Sequence, residues 1–540
     1  MTKTPAARLA ACLLTLGLAA CGGGGGEAPS GEAQTGTGAG GTGSTVAAGQ
    51  PIPLGVQSVE DTPVARLPNH PGHTPIAQPS PQPGAVGQGL SLPKKIQYAH
   101  TFVVSPKGDD SAAGSEAAPF RTIAKGVSAA GPGDLVRVLA GTYDERVALT
   151  KAGTADAPIT LQGEGSPRLT PGPGSGAVVK VQAPNWIVDG LEIDCQGQGV
   201  FAVTFEGDVR GSVLANSELH GGTLGGGITT FNDARGATVE NNHIHDFQRT
   251  GGNGDSHGMV IQSTSKDITV RNNDIHDNSG DSVQCLGPEG FSNLPPADGV
   301  LIENNHLYDN RENAVDIKTC KNVVVRNNRM HGFKVSTTSK GEAVVVHMSA
   351  STVTVENNDI SEAAKGISVG GNHDGPVPSG VVLRRNRIHA ISKANGGDGS
   401  GIRLENSDGT QVLNNTVTDI EGAALVLGHG TGGPTSNLTV ENNILDGATD
   451  VDLGGEAPGL KLVTNLYGGA GRFITGGSNS APVDLEAFRA KSGDKGSTVG
   501  RPGVDTTTYA PGSDAVDKGT DVKLPFCGRG PDIGAVEVGC

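Results

Sequence analysis

Bulky aromatic side chains are nearly missing: they make up 3% of the 540 residues, and tryptophan occurs once. A globular domain of this length fills its centre with such residues, so a large conventional core is excluded. A solenoid does not need them, because each coil buries only a thin stack of small and β-branched residues against its neighbours. Positive charge is also short, with 40 Lys and Arg against 56 Asp and Glu and a net charge of −16. That argues against nucleic acid as a partner, since phosphate binding needs a basic surface. No segment is apolar enough and long enough to span a bilayer by itself, and none of the 7 cysteines has zinc-site spacing. Glycine, by contrast, is abundant at 85 residues.

Lys3 and Arg8 open the chain, a short apolar run covers Leu9 to Ala20, and Leu18-Ala19-Ala20-Cys21 ends it. This reads as an export signal. Its end resembles the lipobox of bacterial lipoproteins, which implies cleavage before Cys21, lipidation of Cys21 and membrane attachment through that lipid; an ordinary secretory signal is the alternative. Gly22 after the cysteine resembles the outer-membrane sorting class, which implies the outer membrane or cell surface of a Gram-negative bacterium. Residues 22–97 are rich in glycine and proline without apolar periodicity and read as a disordered tether. Its root-mean-square reach is roughly 50 Å, at about 5–6 Å × √n. Export implies an oxidising compartment. Cys527 and Cys540 close a short loop and are expected to pair. Cys285 and Cys320 lie about one coil apart but at different strand positions, so their pairing stays open. An odd cysteine is left over and is expected to be buried.

The folded part divides into an N-terminal cap at 98–158, coils at 159–475 and a C-terminal cap at 476–540. In the first of these, Phe120, Ile123, Val127 and Ala130 fall on one helical face, and Pro132-Gly133 stops the helix before a strand at Leu135-Val136-Arg137-Val138. The stretch resembles the N-terminal cap of extracellular β-helix proteins, where a helix covers the exposed edge of the first coil. The coils carry the mark Asn-Asn-x-(Ile/Leu/Val), at Asn241-Asn242, Asn272-Asn273, Asn304-Asn305, Asn327-Asn328, Asn357-Asn358, Asn414-Asn415 and Asn442-Asn443, with Asn216 and Arg385-Asn386 as variants. Spacing runs from 23 residues (Asn304 to Asn327) to 32 (Asn272 to Asn304), one winding of a solenoid. Stacked asparagines are expected to bond side chain to side chain along the axis. The tail, with Leu485-Glu486-Ala487-Phe488 and Asp532-Ile533-Gly534-Ala535, resembles the ending of secreted β-helix proteins. The expected fold is therefore all-β: a right-handed parallel β-helix of about ten or eleven coils with an N-terminal capping helix.

The coils align on a strand that begins with a small residue: Gly258 to Gln262, Ser282 to Leu286, Ala314 to Lys318, Ala343 to His347, Gly366 to Gly370 and Gly401 to Glu405. Alternation turns the third and fifth positions outward. Gln262, Gln284, Asp316, Lys318, His347, Ser368, Arg403 and Glu405 then share one face, preceded by His257, Asp281, Asn313, Glu342 and Lys365. With windings about 4.8 Å apart, Asp281, Asn313, Asp316, Lys318, Glu342 and His347 are expected to crowd one patch. Long turns at 248–256, 287–298, 334–341 and 372–379 are expected to wall it. His220, His245, His276, His331 and His389 recur at one repeat position and read as a structural ladder, not a metal site.

Asp316-Ile317-Lys318-Thr319-Cys320-Lys321-Asn322, followed by Arg326-Asn327-Asn328, resembles the lysine-bearing coil of the alginate lyase and chondroitinase B family. Pectate lyases of the same fold also use a basic residue on a coil, beside a carboxylate-bound Ca2+. The resemblance implies that Lys318 is a Brønsted base, assisted by His347 or Arg403. It places calcium-binding carboxylates at Asp255 and Asp281, and substrate contacts at Asp316, Asn313, Glu342, Lys365 and Glu405. The paired glutamates expected just before the lysine are absent, with Arg311 and Asn313 nearby, and Gln284 stands where an acidic ligand is expected. The implied activity is β-elimination or epimerisation of an acidic polysaccharide by a monomer. A glycoside hydrolase using Asp281, Asp316 and Glu342 is one alternative, and a non-catalytic glycan-binding or adhesin module is another. The plain reading of Asp316 and Lys318 is a surface ion pair.

Overall fold

The computed structural model describes residues 96–540 except 250–253, 287–293, 372–375, 429–434 and 477–479. The expectations for the signal, for Cys21 and for nearly all of the tether lie outside the described residues. No helix among the described residues is long and apolar enough to cross a membrane.

The chain winds into a parallel β-solenoid of about 11 turns. One winding illustrates the rest. Strand Asp298–Glu303 runs into Asn304-Asn305, strand His306–Tyr308 follows, and Val315–Ile317 completes the turn. Each strand pairs in parallel with its equivalent one winding later, for example Val300 with Val323, Leu307 with Met330 and Val315 with Val344. The two asparagines between strands do different work. The first takes a left-handed backbone, with φ 56° at Asn304 and Asn327 and 55° at Asn357, a conformation that asparagine tolerates better than most residues. The second turns inward. Its Nδ2 donates to the Oδ1 of the next winding's asparagine, from Asn242 through Asn273, Asn305, Asn328, Asn358, Asn386, Asn415 and Asn443 to Asn465, at 2.9–3.0 Å. The expected ladder is present, and it satisfies buried turn groups that would otherwise be orphaned.

Inward residues of each strand stack into one apolar column, including Val283, Val315, Val344, Ile367 and Ile402 on one side and Ile275, Leu307, Met330 and Ile360 on another. Aliphatic residues dominate this stack, which is why so few aromatics suffice. Helix α1 (Ile123–Ala129) closes the N-terminal end with Ile123 and Val127 buried in the same core. Phe120, expected on the helix, precedes it. The carboxylate of Asp110 accepts from the backbone N–H groups of Arg121 and Thr122, both at 2.9 Å, and this holds the preceding residues extended, with Phe120 bridged to Val104. Its ring still packs inside. At the other end α2 (Leu485–Ser492) seats Phe488 against Phe473, ring centroids 4.5 Å apart.

Cys527 and Cys540 are bonded as expected. Cys285 and Cys320 are bonded too, which settles the open pairing: Cys285 points inward from its strand, Cys320 lies in the turn after the next winding's strand, and both are buried. The leftover cysteine is Cys195, buried, with its thiol pushed up to about 12 by burial.

Candidate functional site

The strand register places the expected face as read from sequence. Gln284 pairs with Asp316, Asp316 with Val345, Val345 with Ser368 and Ser368 with Arg403. One side of the solenoid therefore carries Asp316, Lys318 and His347 on two successive windings. His347 Nε2 lies 2.7 Å from Asp316 Oδ1, and Lys318 Nζ lies 3.9 Å from Asp316 Oδ2. These groups point away from the core yet are enclosed: Asp316, Lys318 and His347 are 7%, 4% and 7% exposed. They do not form the surface ion pair of the plain reading. Burial alone would raise the Asp316 carboxyl, but the charges of His347 and Lys318 outweigh it and hold the group ionised, down to about 2.

Beside it a second group spans three successive windings, the last of them the winding of Asp316. His257, Asp281 and Glu312 each offer a ligand atom, and these atoms lie within 4.8 Å of one another. Asp281 is fixed on every side. Its Oδ1 accepts from the Asn313 backbone N–H at 2.9 Å, its Oδ2 accepts from Gln284 Nε2 at 3.0 Å, and its own backbone N–H donates to His257 Nδ1 at 2.8 Å. Glu312 is buried beside Asp281 and Asp255. Burial first, then those two charges, push its carboxyl up to about 9, so it is neutral at pH 7 and carries a proton.

Glu312 is the residue that the sequence reading passed over. The resemblance directed attention to the positions on either side of it, Arg311 and Asn313. Those residues lie in the turn before strand Val315–Ile317, where strand alternation does not dictate which way a side chain points. The available signal was an acidic residue flanked by an arginine and an asparagine just before the lysine-bearing strand.

The other expected residues sort by contact. Asn313 Nδ2 donates to the Glu342 carbonyl at 2.7 Å, which ties two windings together. Glu342 faces Lys365 at 3.1 Å. Asp255 forms a close ion pair with Arg311; it stands beside the His257–Asp281–Glu312 group but is not one of its three members, contrary to its expected place as a metal ligand. Arg403 is not brought into the cluster. It lies three windings beyond Asp316, roughly 14 Å at about 4.8 Å per winding. Its guanidinium is held by Glu405 at 2.6 Å and Asp398 at 2.7 Å. The same pairing occupies Glu405. The turn at 334–341 does border the site, with Thr338 and Ser339 buried and Ser339 Oγ 3.3 Å from Asn313 Nδ2. The other three expected walls fall partly outside the described residues.

The donor set can be judged against the calcium expectation. Calcium takes oxygen ligands, which Asp281 and Glu312 supply, whereas His257 brings a nitrogen that suits borderline ions better. Crowding of Glu312 against two other carboxylates is the observation that a divalent cation at this point would relieve. The residues fit a divalent cation, and they fit calcium through their oxygens only.

A family model described as a right-handed β-helix region matches residues 290–445, and a model for a protein family of unknown function, DUF1565, matches 106–329. Uncharacterized protein YwoF of Bacillus subtilis strain 168 is 23% identical over 375 residues, covering 63% of this chain and 74% of that protein. Pectate lyase Pel9A is similar in structure, with 17% identity, a TM-score of 0.40, and coverage of 82% of this chain and 97% of the other. A mannuronic-acid-specific polysaccharide family 6 lyase from human gut microbiota has 15% identity and a TM-score of 0.49, with coverage of 74% and 91%. Parallel pairing in every winding and the match over residues 290–445 establish what this chain is in architecture: a right-handed parallel β-helix.

Proposed function

We propose that this protein is a cell-surface polysaccharide lyase, cleaving a uronate-containing polysaccharide by β-elimination with Lys318 as base and His347 beside it. The observation that carries this reading is the meeting of Lys318 and His347 on Asp316, at 3.9 and 2.7 Å, next to an acidic group built from Asp281 and Glu312.

β-Elimination needs a base for the weakly acidic C5 proton, positive charge against the uronate carboxylate, and a proton for the departing oxygen at C4. Lys318 in its amine form takes the C5 proton. Asp316 opposes that form, since a carboxylate favours the charged ammonium. However, Asp316 spends Oδ1 on a short hydrogen bond to His347, so Lys318 is the weaker of its two partners. Glu312, neutral and proton-bearing, and His347 are the donors at hand for the leaving oxygen. Asn313, Glu342 and Lys365 line the approach and contact the sugar. A divalent cation held by Asp281 and Glu312, Ca2+ among the candidates, would take Glu312 in its ionised form, leaving His347 as the proton donor, and would neutralise the uronate carboxylate and stabilise the enolate charge. The Cys21 lipid and the tether would hold a monomeric enzyme at the outer membrane or cell surface.

One observation favours a second reading, glycoside hydrolysis. Glu312 at about 9 and Asp316 at about 2 are carboxyl groups whose environments push them apart, the pattern of a general acid beside an ionised partner. Asp281 would complete that set, while Glu342 is committed to Lys365. Incubation with alginate, pectate and chondroitin, with and without chelator, separates the readings. A lyase gives ultraviolet-absorbing unsaturated ends that Lys318→Ala abolishes. A hydrolase gives reducing ends without unsaturation. Glycan binding with neither product would leave a non-catalytic adhesin and end both proposals.

A further inference from the structure

A different strand series, away from the Asp316 face, carries two outward columns one inward residue apart. The first column runs Glu218, His243, Asp274, His306 by register, and the second runs His220, His245, His276, Tyr308, His331. The second column stacks as the ladder reading anticipates, with centroids 5.3 Å apart for both His220–His245 and His245–His276, and 4.6 Å for His276–Tyr308. The first column adds something that the ladder reading lacks: it brings imidazole nitrogens and carboxylates edge to edge across windings.

From that arrangement we propose that Glu218, His243 and His245 form a binding site for a borderline divalent transition-metal ion of the zinc class, with an open fourth position beside His276. One ligand atom from each of the three lies within 4.8 Å of the others. His245 Nε2 is already 3.3 Å from Glu218 Oε1, about the edge of a tetrahedron whose metal–ligand bonds are roughly 2.0–2.2 Å. His243 Nε2 is hydrogen-bonded to His276 Nε2 at 2.7 Å, which sets a further imidazole at the edge of the group.

The outer shell is in place as well. His245 Nδ1 is 2.8 Å from Asp246 Oδ2, and His276 Nδ1 is 2.7 Å from Asp277 Oδ2. A carboxylate on Nδ1 fixes the proton there and leaves Nε2 as the ligating atom, the usual second-shell arrangement of metal-bound histidines. Between the histidines of the first column, Asp274 Oδ1 is buried without a hydrogen-bond partner, a carboxylate oxygen with capacity to spare. His245 and His276 side chains remain 13% and 14% exposed, so an ion can enter from solvent. Imidazole with a single carboxylate selects zinc, copper or nickel over calcium and magnesium.

The site stands apart from the proposed lyase centre and is tested independently of it. Full-length protein stripped with chelator is titrated with Co2+ and with Zn2+, alongside H243A/H245A and, as a control, D281N/E312Q. The expected result is one equivalent of metal with a visible cobalt band of nitrogen and oxygen coordination, additional to any held at Asp281 and Glu312, that D281N/E312Q retains and H243A/H245A loses. Zinc should also raise the melting temperature of the unmodified chain and of D281N/E312Q, but not of the histidine variant. Should H243A/H245A fail to fold, copper resonance spectra of D281N/E312Q serve instead: coupling to at least two nitrogens is expected, and a spectrum without nitrogen coupling overturns the site. An unchanged stoichiometry in folded H243A/H245A overturns it equally.

Discussion

Asp316 holds two basic side chains at once, and the inequality of the two contacts bears directly on catalysis. If Lys318 is the base, Lys318→Ala should lower turnover by roughly 10²–10⁴-fold, the usual range for a general base. Asp316→Asn removes the charge that favours the ammonium form and weakens the hold on His347, so the ascending, acid-side limb of its pH–rate profile, where the base loses its proton, should shift toward lower pH. Glu312 supplies a sign test of its own. Its folded pKa of about 9 lies above that of an exposed glutamate. Between those values the unfolded chain has released a proton that the folded chain keeps. Stability from this group is thus present at low pH and declines as pH rises toward 9. Glu312→Gln should flatten that decline, and urea unfolding at pH 5 and pH 9 would measure it. At this scale the sequence was only partly legible. Asp316, Lys318 and His347 followed from strand alternation, whereas Glu312 sits in a turn, where only coordinates say which way a side chain faces.

Among the elements, the Asn-Asn turn makes the sharpest claim, because its two asparagines have unlike duties. Asn328 is buried. It accepts from Asn305 Nδ2 at 2.9 Å and donates to the Ile302 carbonyl and Asn358 Oδ1, both at 3.0 Å. Asn328→Ala would remove these bonds and the acceptor of the Asn305 backbone N–H, 2.9 Å away, and should cost roughly 1–3 kcal/mol, the range for an unsatisfied buried group. Asn327 serves through its left-handed backbone alone, so Asn327→Gly should be nearly neutral and Asn327→Ala should cost about 1–2 kcal/mol. Hydrogen exchange of amides in the flanking strands would rank the three variants. The repeat made this ladder readable in advance, since a fixed spacing of amides implies stacking. The capping helix was read with its start misplaced: Phe120 has the right period for its face, but Asp110, ten residues earlier, captures the backbone that would have extended it.

For the molecule as a whole, stacked coils leave two open ends, and the structure covers both. Removing residues before Ile159 would expose the paired edge that α1 and the first strands protect, so the truncated chain should self-associate; light scattering against the full-length protein would show it. Fold, length of the solenoid and the outward face were legible because periodicity carries them. Chemistry was less so, because it depends on which neighbours of neighbouring windings touch: Arg403 shares the face of Asp316 yet stands three windings off, bound to its own carboxylates. The most direct test is the appearance of unsaturated sugar ends, followed by ultraviolet absorbance, when the intact protein meets a panel of uronate polymers. The account predicts a rising signal on at least one polymer that vanishes in Lys318→Ala. No rise on any polymer, or an equal rise from the Lys318→Ala variant, would contradict it.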